Sequence, residues 1–378
     1  MAGCGIWSRK FLGGLLIVIL LGCGIVAWRE RITLLSWFYI RNLARTSDTN
    51  RTRWVGRVAN LGDAALPGLF DCLTQPSAPV CANACAALGY MTQTWGNGDP
   101  RTADLALRLS REFSRFSPAG QKQALDLAAG WFHEPGRQPD SLLSACGNLV
   151  SEAALASDDE VQTSALELCG ILLNQPNDNQ ASKPLDPAHK LVLAALQAGS
   201  VHNRLRAVRL SLYPGMADLL ESVAALLGDE SPHVRRAALI AVGPAREAVH
   251  DDQLLSCLHD PDADVRRLCE QALIARGLRP EYLELGRLLT DPQPAKRLQV
   301  LDRLRESREL DTGLWLRRLS HDASPSVRVA AMRAMTQQSF VDLSDRIDQI
   351  AREDASPTVR QLAQFYLNCP RRQGKPRN

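Results

Sequence analysis

The chain has few aromatic residues, little net charge and none of the common catalytic signatures. Aromatic side chains make up 5% of its 378 residues whereas 45% are hydrophobic, so alanine and leucine supply most of the core and favour helices. A formal net charge of +3 gives no reason in itself to expect a nucleic-acid partner. A P-loop, a dinucleotide-binding fingerprint, an H-E-x-x-H zinc motif and a nucleophile elbow are all missing, which argues against the enzymes that depend on them.

The ten cysteines show no paired spacing of the kind that marks a disulfide framework. Cys81 and Cys85 lie one helical turn apart, with Cys72 upstream, but no C-x-x-C pair or nearby histidine completes a tetrahedral metal site. We expect these residues, like Cys169 and Cys269, to be small buried apolar side chains. The sequence therefore predicts no metal site.

What the sequence does contain is a short phrase that recurs at a nearly fixed interval in its last third. The copies begin at Asp229, Asp260, Asp291, Asp322 and Asp354. Self-similarity at a fixed period, here about 31 residues, is the sequence mark of a solenoid.

Each copy carries the apolar pattern of one helix. Counting from a valine, apolar residues return at +4, +7 and +8, which places them on one stripe. The sets are Val234, Ala238, Ala241 and Val242; Val265, Cys269, Ala272 and Leu273; Val327, Ala331, Ala334 and Met335; Val359, Ala363, Tyr366 and Leu367. In three copies a Ser-Pro pair precedes the stripe, where serine suits an N-cap and proline the first helical position. Another apolar run precedes each aspartate, so each repeat is predicted to be a helical hairpin.

The phrase resembles that of HEAT repeats, in the subfamily whose acidic turn is followed by Val-Arg and an alanine-rich helix. The third copy departs from this pattern, because Lys296 stands in the valine position and the apolar set is Val300, Leu301 and Leu304. The period nevertheless runs through it. The resemblance implies an all-α fold, a right-handed α-α superhelix with its regular repeats over residues 189–369.

Weaker repeats are predicted over residues 48–173, at intervals of about 40 residues. Two sets fit the stripe: Val80, Ala84, Ala87 and Leu88, and Val161, Ala165, Leu168 and Cys169. Gly89 and Gly170 follow these sets and predict helix ends. A further weak unit lies at NRLRAVRLSL, before the regular copies. Residues 174–188 are polar and predict an inserted surface loop, and residues 370–378 a disordered basic tail.

The N-terminal part predicts a membrane anchor. Residues 11–28 form an uncharged apolar run that is just long enough for a single spanning helix. They follow a short N-terminal tail, residues 1–10, and precede a juxtamembrane segment, residues 29–47. A cleaved secretory signal fits less well because no A-x-A-like site closes the run. A lipoprotein signal with Cys23 as the lipidated residue is a further alternative.

Two features of this region stay open at the sequence level. The apolar stretch Ile32–Ile40 suits an extension of the spanning helix, an interfacial amphipathic segment, or the first packing helix of the array. Lys and Arg are slightly more numerous after the run than before it, which favours a body on the cytoplasmic side. The unpaired cysteines favour the same side.

Two short motifs have a functional and a structural interpretation. Asp260, Asp262 and Asp264 match the first half of a calcium-binding loop, but Val265 replaces the required glycine and Gln271 the final glutamate. We expect a solvated turn with helix-capping aspartates. His133-Glu134 is a single copy of the pair that deoxyhypusine hydroxylase, a HEAT-like enzyme, uses several times to bind two irons. One pair is too few for such a centre.

A regular series of arginines follows the turn aspartates: Arg235, Arg266, Arg297, Arg328 and Arg360. HEAT-like DNA glycosylases bind DNA on a basic concave face, and regularly spaced arginines suit phosphate contacts. Each arginine, however, follows a turn aspartate at a constant distance. We therefore expect stacked repeats to form a neutralising ladder of Asp and Arg along the turns. HEAT-like bilin lyases have similar repeats, and the phrase alone does not separate them from a non-catalytic array.

The sequence predicts a membrane-tethered scaffold that binds partner proteins on the concave face of its solenoid. No catalytic, cofactor-binding or metal-binding residue is expected, nor a small-molecule substrate or a nucleic acid. A HEAT-like enzyme, such as a bilin lyase or a DNA glycosylase relative, is the alternative.

Overall fold

A computed structural model of the protein describes most of the chain, and every regular element within the described part is a helix. The described ranges are 31–133, 138–175, 185–306, 311–337 and 343–368. The predicted membrane segment 11–28 and the predicted tail 370–378 lie outside them. Within the described ranges, no helix combines the length and the apolar character needed to cross a bilayer. Contacts divide the chain between Ser222 and Val223 into two compact units.

The described part of the first unit is built from helices in two rows. The helices are α1 (Arg31–Ala44), α2 (Asp48–Ala59), α3 (Leu66–Leu73), α4 (Ala78–Trp95), α5 (Pro100–Glu112), α6 (Pro118–Gly130), α7 (Asp140–Ala153), α8 (Asp159–Leu173), α9 (Leu185–Leu196) and α10 (Val201–Leu210). In one row α2, α4, α6, α8 and α10 pack each against the next. In the other row α5 packs against α7, and α7 packs against α9.

The remaining helices follow the period of the repeated phrase. They are α11 (Leu220–Ala224), α12 (Pro232–Val242), α13 (Asp251–Ser256), α14 (Ala263–Ala275), α15 (Pro280–Leu289), α16 (Pro294–Glu306), α17 (Thr312–Leu319), α18 (Pro325–Gln337), α19 (Ser344–Glu353) and α20 (Pro357–Asn368). Short 3-10 turns at Ala225–Gly228 and Cys257–His259 extend α11 and α13. Each turn aspartate stands between two helices, so the predicted hairpins and the helical solenoid are confirmed.

The apolar stripes form the seams between neighbouring hairpins. In the first, second and fourth copies every stripe residue is buried except Ala272, which is half-buried. Val300, Leu301 and Leu304 are buried in the irregular third copy. In the last copy Leu367 is 40% exposed, because no later hairpin of the described chain covers it. Burying a leucine or valine side chain contributes about 2 kcal/mol, so a stack of such seams supplies most of the stability.

Two predicted helix ends are wrong. Helix α4 continues through Gly89 to Trp95 and stops at Gly96, which adopts a φ of +82°. Likewise α8 continues through Gly170 to Leu173. A glycine inside a helix costs only about 1 kcal/mol, which tertiary packing readily offsets, whereas a left-handed residue ends the helix.

Two predicted segment boundaries also change. The stretch Ile32–Ile40 lies in α1, which packs against α2, α3 and α4, so the juxtamembrane segment 29–47 contains the first packing helix of the array. The predicted loop 174–188 ends too late, since α9 begins at Leu185 and buries its apolar side, with Asp186 in its first turn where the helix dipole favours an acidic residue. Residues 176–184 lie outside the described ranges.

The seam assignment predicts the result of one substitution. Ala331→Asp places a charge without a partner on a fully buried stripe position and should lower the free energy of unfolding by about 3 kcal/mol. Thr336→Asp, at an exposed position of the same helix, is the control and should change it by less than about 0.5 kcal/mol. Urea unfolding followed by circular dichroism measures both; equal midpoints would contradict the assignment.

Candidate functional site

Each ladder arginine closes the turn of its own repeat. Nη1 of Arg235 donates hydrogen bonds to the carbonyl oxygens of Asp229, at 2.7 Å, and Glu230, at 3.1 Å. The same two bonds, to carbonyls six and five residues earlier, are made by Arg266, Arg297 and Arg328. Because a guanidinium presents its donors in a fixed fork, one side chain holds the first turn of the second helix against the hairpin turn.

The same guanidinium also reaches the next repeat. Nε and Nη2 of Arg235 donate to the two carboxylate oxygens of Asp260 at 2.7 and 2.8 Å. Two further bidentate pairs repeat this geometry, Arg297–Asp322 and Arg328–Asp354. None of these side chains is more than 12% exposed. The predicted Asp–Arg ladder is confirmed at these three rungs, where the arginine donors are directed to protein acceptors rather than to solvent.

The turn aspartates have a second role, in shaping the turn. Oδ1 of Asp229 accepts a hydrogen bond at 2.9 Å from the backbone amide of Ser231. The same contact with the amide two residues later is made by Asp260, Asp291, Asp322 and Asp354. Ser231 was expected to cap α12 but forms no capping hydrogen bond through its side chain. Asp229 thus satisfies the backbone amide of Ser231, the residue that precedes α12.

The ladder changes at the irregular third copy. Arg266 still binds its own turn carbonyls, but the Asp291 carboxylate pairs with Lys296 of its own repeat at 3.5 Å. The hydrogen bond from the Gln293 amide, aided by the charge of Lys296, lowers the pKa of Asp291. Lys296, the residue that breaks the sequence pattern, thus pairs with Asp291 from within the same repeat.

The period of the ladder also extends into the first unit. Arg204, which precedes Arg235 by one period, donates to the carbonyl oxygens of Ala198 and Gly199 at 2.8 and 2.9 Å. The turn closure is therefore the same although Ala198 stands where the later copies have aspartate. This turn belongs to the weak unit predicted at NRLRAVRLSL.

Uncharged side chains join neighbouring hairpins elsewhere in the first unit. Asn83 on α4 donates to the carbonyl oxygen of Leu43 at 3.0 Å, and Asn203 on α10 donates to that of Asp159 at 3.0 Å. Ser117, before α6, donates to two carbonyls at the end of α3 and just after it. The sequence reasoning missed these links because single asparagines and serines follow no period.

A groove of about 400 Å³ lies between the C-terminal halves of α12 and α14. Buried Leu239 and half-buried Leu268 line it, and Ile240 contributes an apolar side chain that is 59% exposed. The remaining lining residues are Gly243, Pro244, Arg246, Gln271, Ala272, Ala275 and Arg276. The groove therefore offers an apolar surface with a few polar groups, as is typical of sites that bind an apolar side chain.

One buried arginine fixes the wall of this groove. Nε of Arg276 donates to the carbonyl of Gly243 at 2.6 Å, and its other nitrogens donate to the carbonyls of Val242, Ala245 and Val249 and to the Asp251 carboxylate. Sequence reasoning missed it. Its location at the end of α14 is a usable signal, since basic side chains near a helix C-terminus bind free carbonyls.

Close packing beside the groove depends on a glycine. A Cβ atom at Gly243 would lie 3.2 Å from the Cβ of Ala272 and 2.6 Å from the carbonyl oxygen of Leu239. Any larger side chain would push α12 and α14 apart. Residues from two successive repeats thus form the groove.

The cysteines that the structure describes are buried in the core, and the turn that resembles a calcium-binding loop caps a helix. Burial raises the pKa of the Cys72 thiol to about 11, and Cys81 donates from its Sγ to the carbonyl of Gln75 at 3.2 Å. No three His, Cys, Asp or Glu side chains of the described ranges are placed to hold a metal ion. Asp262 caps α14 through the amide of Val265 at 3.0 Å, as expected for a turn. His133 is exposed, and Glu134 lies outside the described residues.

The comparison with known protein families agrees with this description of stacked helical hairpins. A family model for HEAT repeats matches residues 189–274, which include the first rung of the ladder and all of the groove lining except Ala275 and Arg276. The solved structures that match include an engineered protein, 16% identical, with 89% of this chain and 93% of that chain covered and a TM-score of 0.36. No curated protein sequence matches the chain significantly. The chain is thus similar to HEAT repeats over residues 189–274.

The ladder predicts that alanine substitutions at two arginines of one helix differ greatly in their effect on the free energy of unfolding. Arg297→Ala removes a nearly buried bidentate pair and two turn contacts, and should lower the free energy of unfolding by about 3 kcal/mol. Arg303→Ala removes an exposed pair with Glu284 and should cost less than about 1 kcal/mol. Chemical denaturation compares them; a cost for Arg297→Ala no larger than that for Arg303→Ala would refute a stabilising ladder.

The ladder also predicts that the fold loses stability as the pH falls. Hydrogen bonding from Arg328 lowers the pKa of Asp354, so this carboxylate stabilises the fold above its unfolded pKa and loses that contribution as the pH falls through the lower folded value. Asp354→Asn should therefore flatten the fall in urea midpoint between about pH 7 and about pH 3. Asp348→Asn, in an exposed pair with Arg352, is the control. Parallel curves for wild type and Asp354→Asn would disprove the assignment.

Proposed function

We propose that the protein is a scaffold, held at a membrane by residues 11–28, that binds an apolar segment of a partner protein in the groove between α12 and α14. The HEAT-repeat match over residues 189–274 and the stacked hairpins support the scaffold class. Solenoids commonly bind extended or helical segments along a row of parallel helices.

The observation that carries the proposal is the exposure of Ile240. Its side chain is 59% exposed and lines the groove beside buried Leu239. A groove of this size accommodates one or two side chains of a partner helix, and an anchor residue in such a pocket supplies much of the binding energy of an interface. The nearby polar residues Arg246 and Gln271 provide groups that can orient the bound segment.

The membrane attachment gives the groove a defined set of partners. Tethering both proteins to one bilayer raises their effective concentration and makes a modest groove sufficient for stable association. The expected side of the membrane is the cytoplasmic one, from the distribution of Lys and Arg around residues 11–28.

The test uses two isoleucines of similar exposure, one inside the groove and one outside it. Ile240→Asp places a charge in the groove, whereas Ile274→Asp, at a position that is 53% exposed on α14 outside the groove, introduces the same change as a control. Crosslinking of the full chain in native membranes identifies the partner, which is then purified for calorimetric titration. Ile240→Asp should weaken binding by about thirtyfold, the effect of losing roughly 2 kcal/mol at an anchor position.

The control decides the interpretation of that result. Ile274→Asp should bind with the wild-type dissociation constant. Equal weakening by both substitutions, or by neither, would show that the groove is not the binding site, and turnover of a small molecule by the purified protein alone would favour an enzyme.

A further inference from the structure

Helix α1 has apolar side chains on both of its sides. Its inner side carries Ser36, Ile40 and Leu43, which are buried against the array. The outward residues include Leu34, Leu35, Trp37 and Phe38, which are between 42% and 59% exposed. A surface helix of a soluble protein normally has polar residues on that side. A contiguous exposed apolar patch of this kind marks an interaction surface.

The inner contacts fix which side faces outward. Ser36 donates a hydrogen bond from its Oγ to the carbonyl of Ala64 at 3.1 Å. Ile40 packs so closely on Gly68 that a Cβ there would lie 2.7 Å from its Cδ1. Rotation of α1 about its axis would break both contacts. The outward apolar residues are therefore held in place rather than left exposed by a loosely placed helix.

An aromatic cluster extends the outward face from α1 to α2. Phe38 packs edge-on against Trp54, with ring centroids 6.3 Å apart, and Tyr39 lies 6.1 Å from the same ring. The guanidinium of Arg41 stands 5.0 Å from the ring centroid of Trp37, and that of Arg57 stands 5.0 Å from that of Trp54. Indole rings beside arginines are the side chains found where a protein meets the lipid headgroups.

The charge of this region has one sign. Residues 31–60 contain six arginines and a single acidic residue, Asp48. Arg41 and Arg45 are exposed and continue the line of Leu34 and Phe38 at helical spacing, so the apolar end of the face leads into a basic end. This arrangement is complementary to a surface that is apolar inside and negatively charged at its edge.

The position of α1 in the chain also indicates that its outward face lies at a bilayer surface. The uncharged run of residues 11–28 ends just before α1 begins at Arg31. If that run enters a bilayer, α1 starts three residues beyond it, a distance of at most about 11 Å at about 3.6 Å per residue. The outward face of α1 must then lie at the level of the headgroups or just beyond.

We propose that the outward face of α1 and the adjoining end of α2 form a lipid-binding surface that rests in the headgroup layer of a bilayer containing acidic phospholipids. This inference rests on the proposed membrane attachment and adds to it the orientation of the array: Leu34, Leu35, Trp37 and Phe38 enter the interface, and Arg41 and Arg45 bind phosphate or carboxylate groups of the lipids.

The test uses photocrosslinking of the full chain reconstituted in vesicles of phosphatidylcholine and phosphatidylserine. Phe38 is replaced by p-benzoylphenylalanine, and the same replacement at Phe365, which is 59% exposed on α20, is the matched control. Mass spectrometry should find lipid adducts at position 38 and few at position 365. Arg41→Gln with Arg45→Gln should lower the share of phosphatidylserine among the adducts, by up to about fivefold for each arginine.

The remaining outcomes separate the two proposals. Protein that resists alkaline extraction from the vesicles yet gives no lipid adduct at position 38 overturns the lipid-binding face and leaves the attachment intact. Adducts at position 38 with a second copy, or with residues 1–30 of the same chain, show that protein covers this face and also overturn it. Protein that alkaline extraction removes from the vesicles refutes the attachment through residues 11–28 itself.

Discussion

The structure depends on lateral coupling between neighbouring hairpins. A hairpin of two short helices has one apolar stripe and too little core to fold alone, so Val327, Ala331 and Met335 become buried only when adjacent repeats pack against them. Non-directional apolar contacts alone would let repeats slide. The bidentate pair Arg297–Asp322 prevents this, because it ties the start of one second helix to the turn of the next hairpin. Burial supplies the energy and the ladder sets the register.

The same coupling decides where the molecule can bind other molecules. At the three bidentate rungs the ladder arginines are directed to carbonyls and carboxylates, so their donors are occupied by protein acceptors. At the other end of the second helices, Arg276 is withdrawn into the connection after α12 and the apolar residues near Ile240 are left at the surface. Binding capacity is therefore expected where the helices end, away from the ladder.

Features that recur at the repeat period were predictable from the sequence, whereas features of a single repeat were not. The constant period located the hairpins, the stripes and the Asp–Arg pairing, because each of these depends on identical residues at identical spacing. The groove was missed because Arg276, which fixes its wall, has no counterpart in the other copies. The helix end predicted at Gly89 is wrong, since packing over a long helix outweighs the small cost of one glycine. For Ile32–Ile40 the sequence allowed three interpretations, and the contacts of α1 with its neighbours show that it is a packing helix of the array.

The ladder arginines of the second unit and two arginines of the first unit have different contacts, and this difference bears on function. In the second unit the ladder arginines of three rungs bind protein acceptors, whereas the first unit joins its hairpins through uncharged groups such as Asn83, Asn203 and Ser117 as well as through charged ones such as the Lys122–Glu160 pair. Arg41 and Arg57 in the first unit stand instead over exposed or half-buried indole rings. These arginines remain available to an anionic surface, which is consistent with a first unit that faces lipid and a second unit that binds protein.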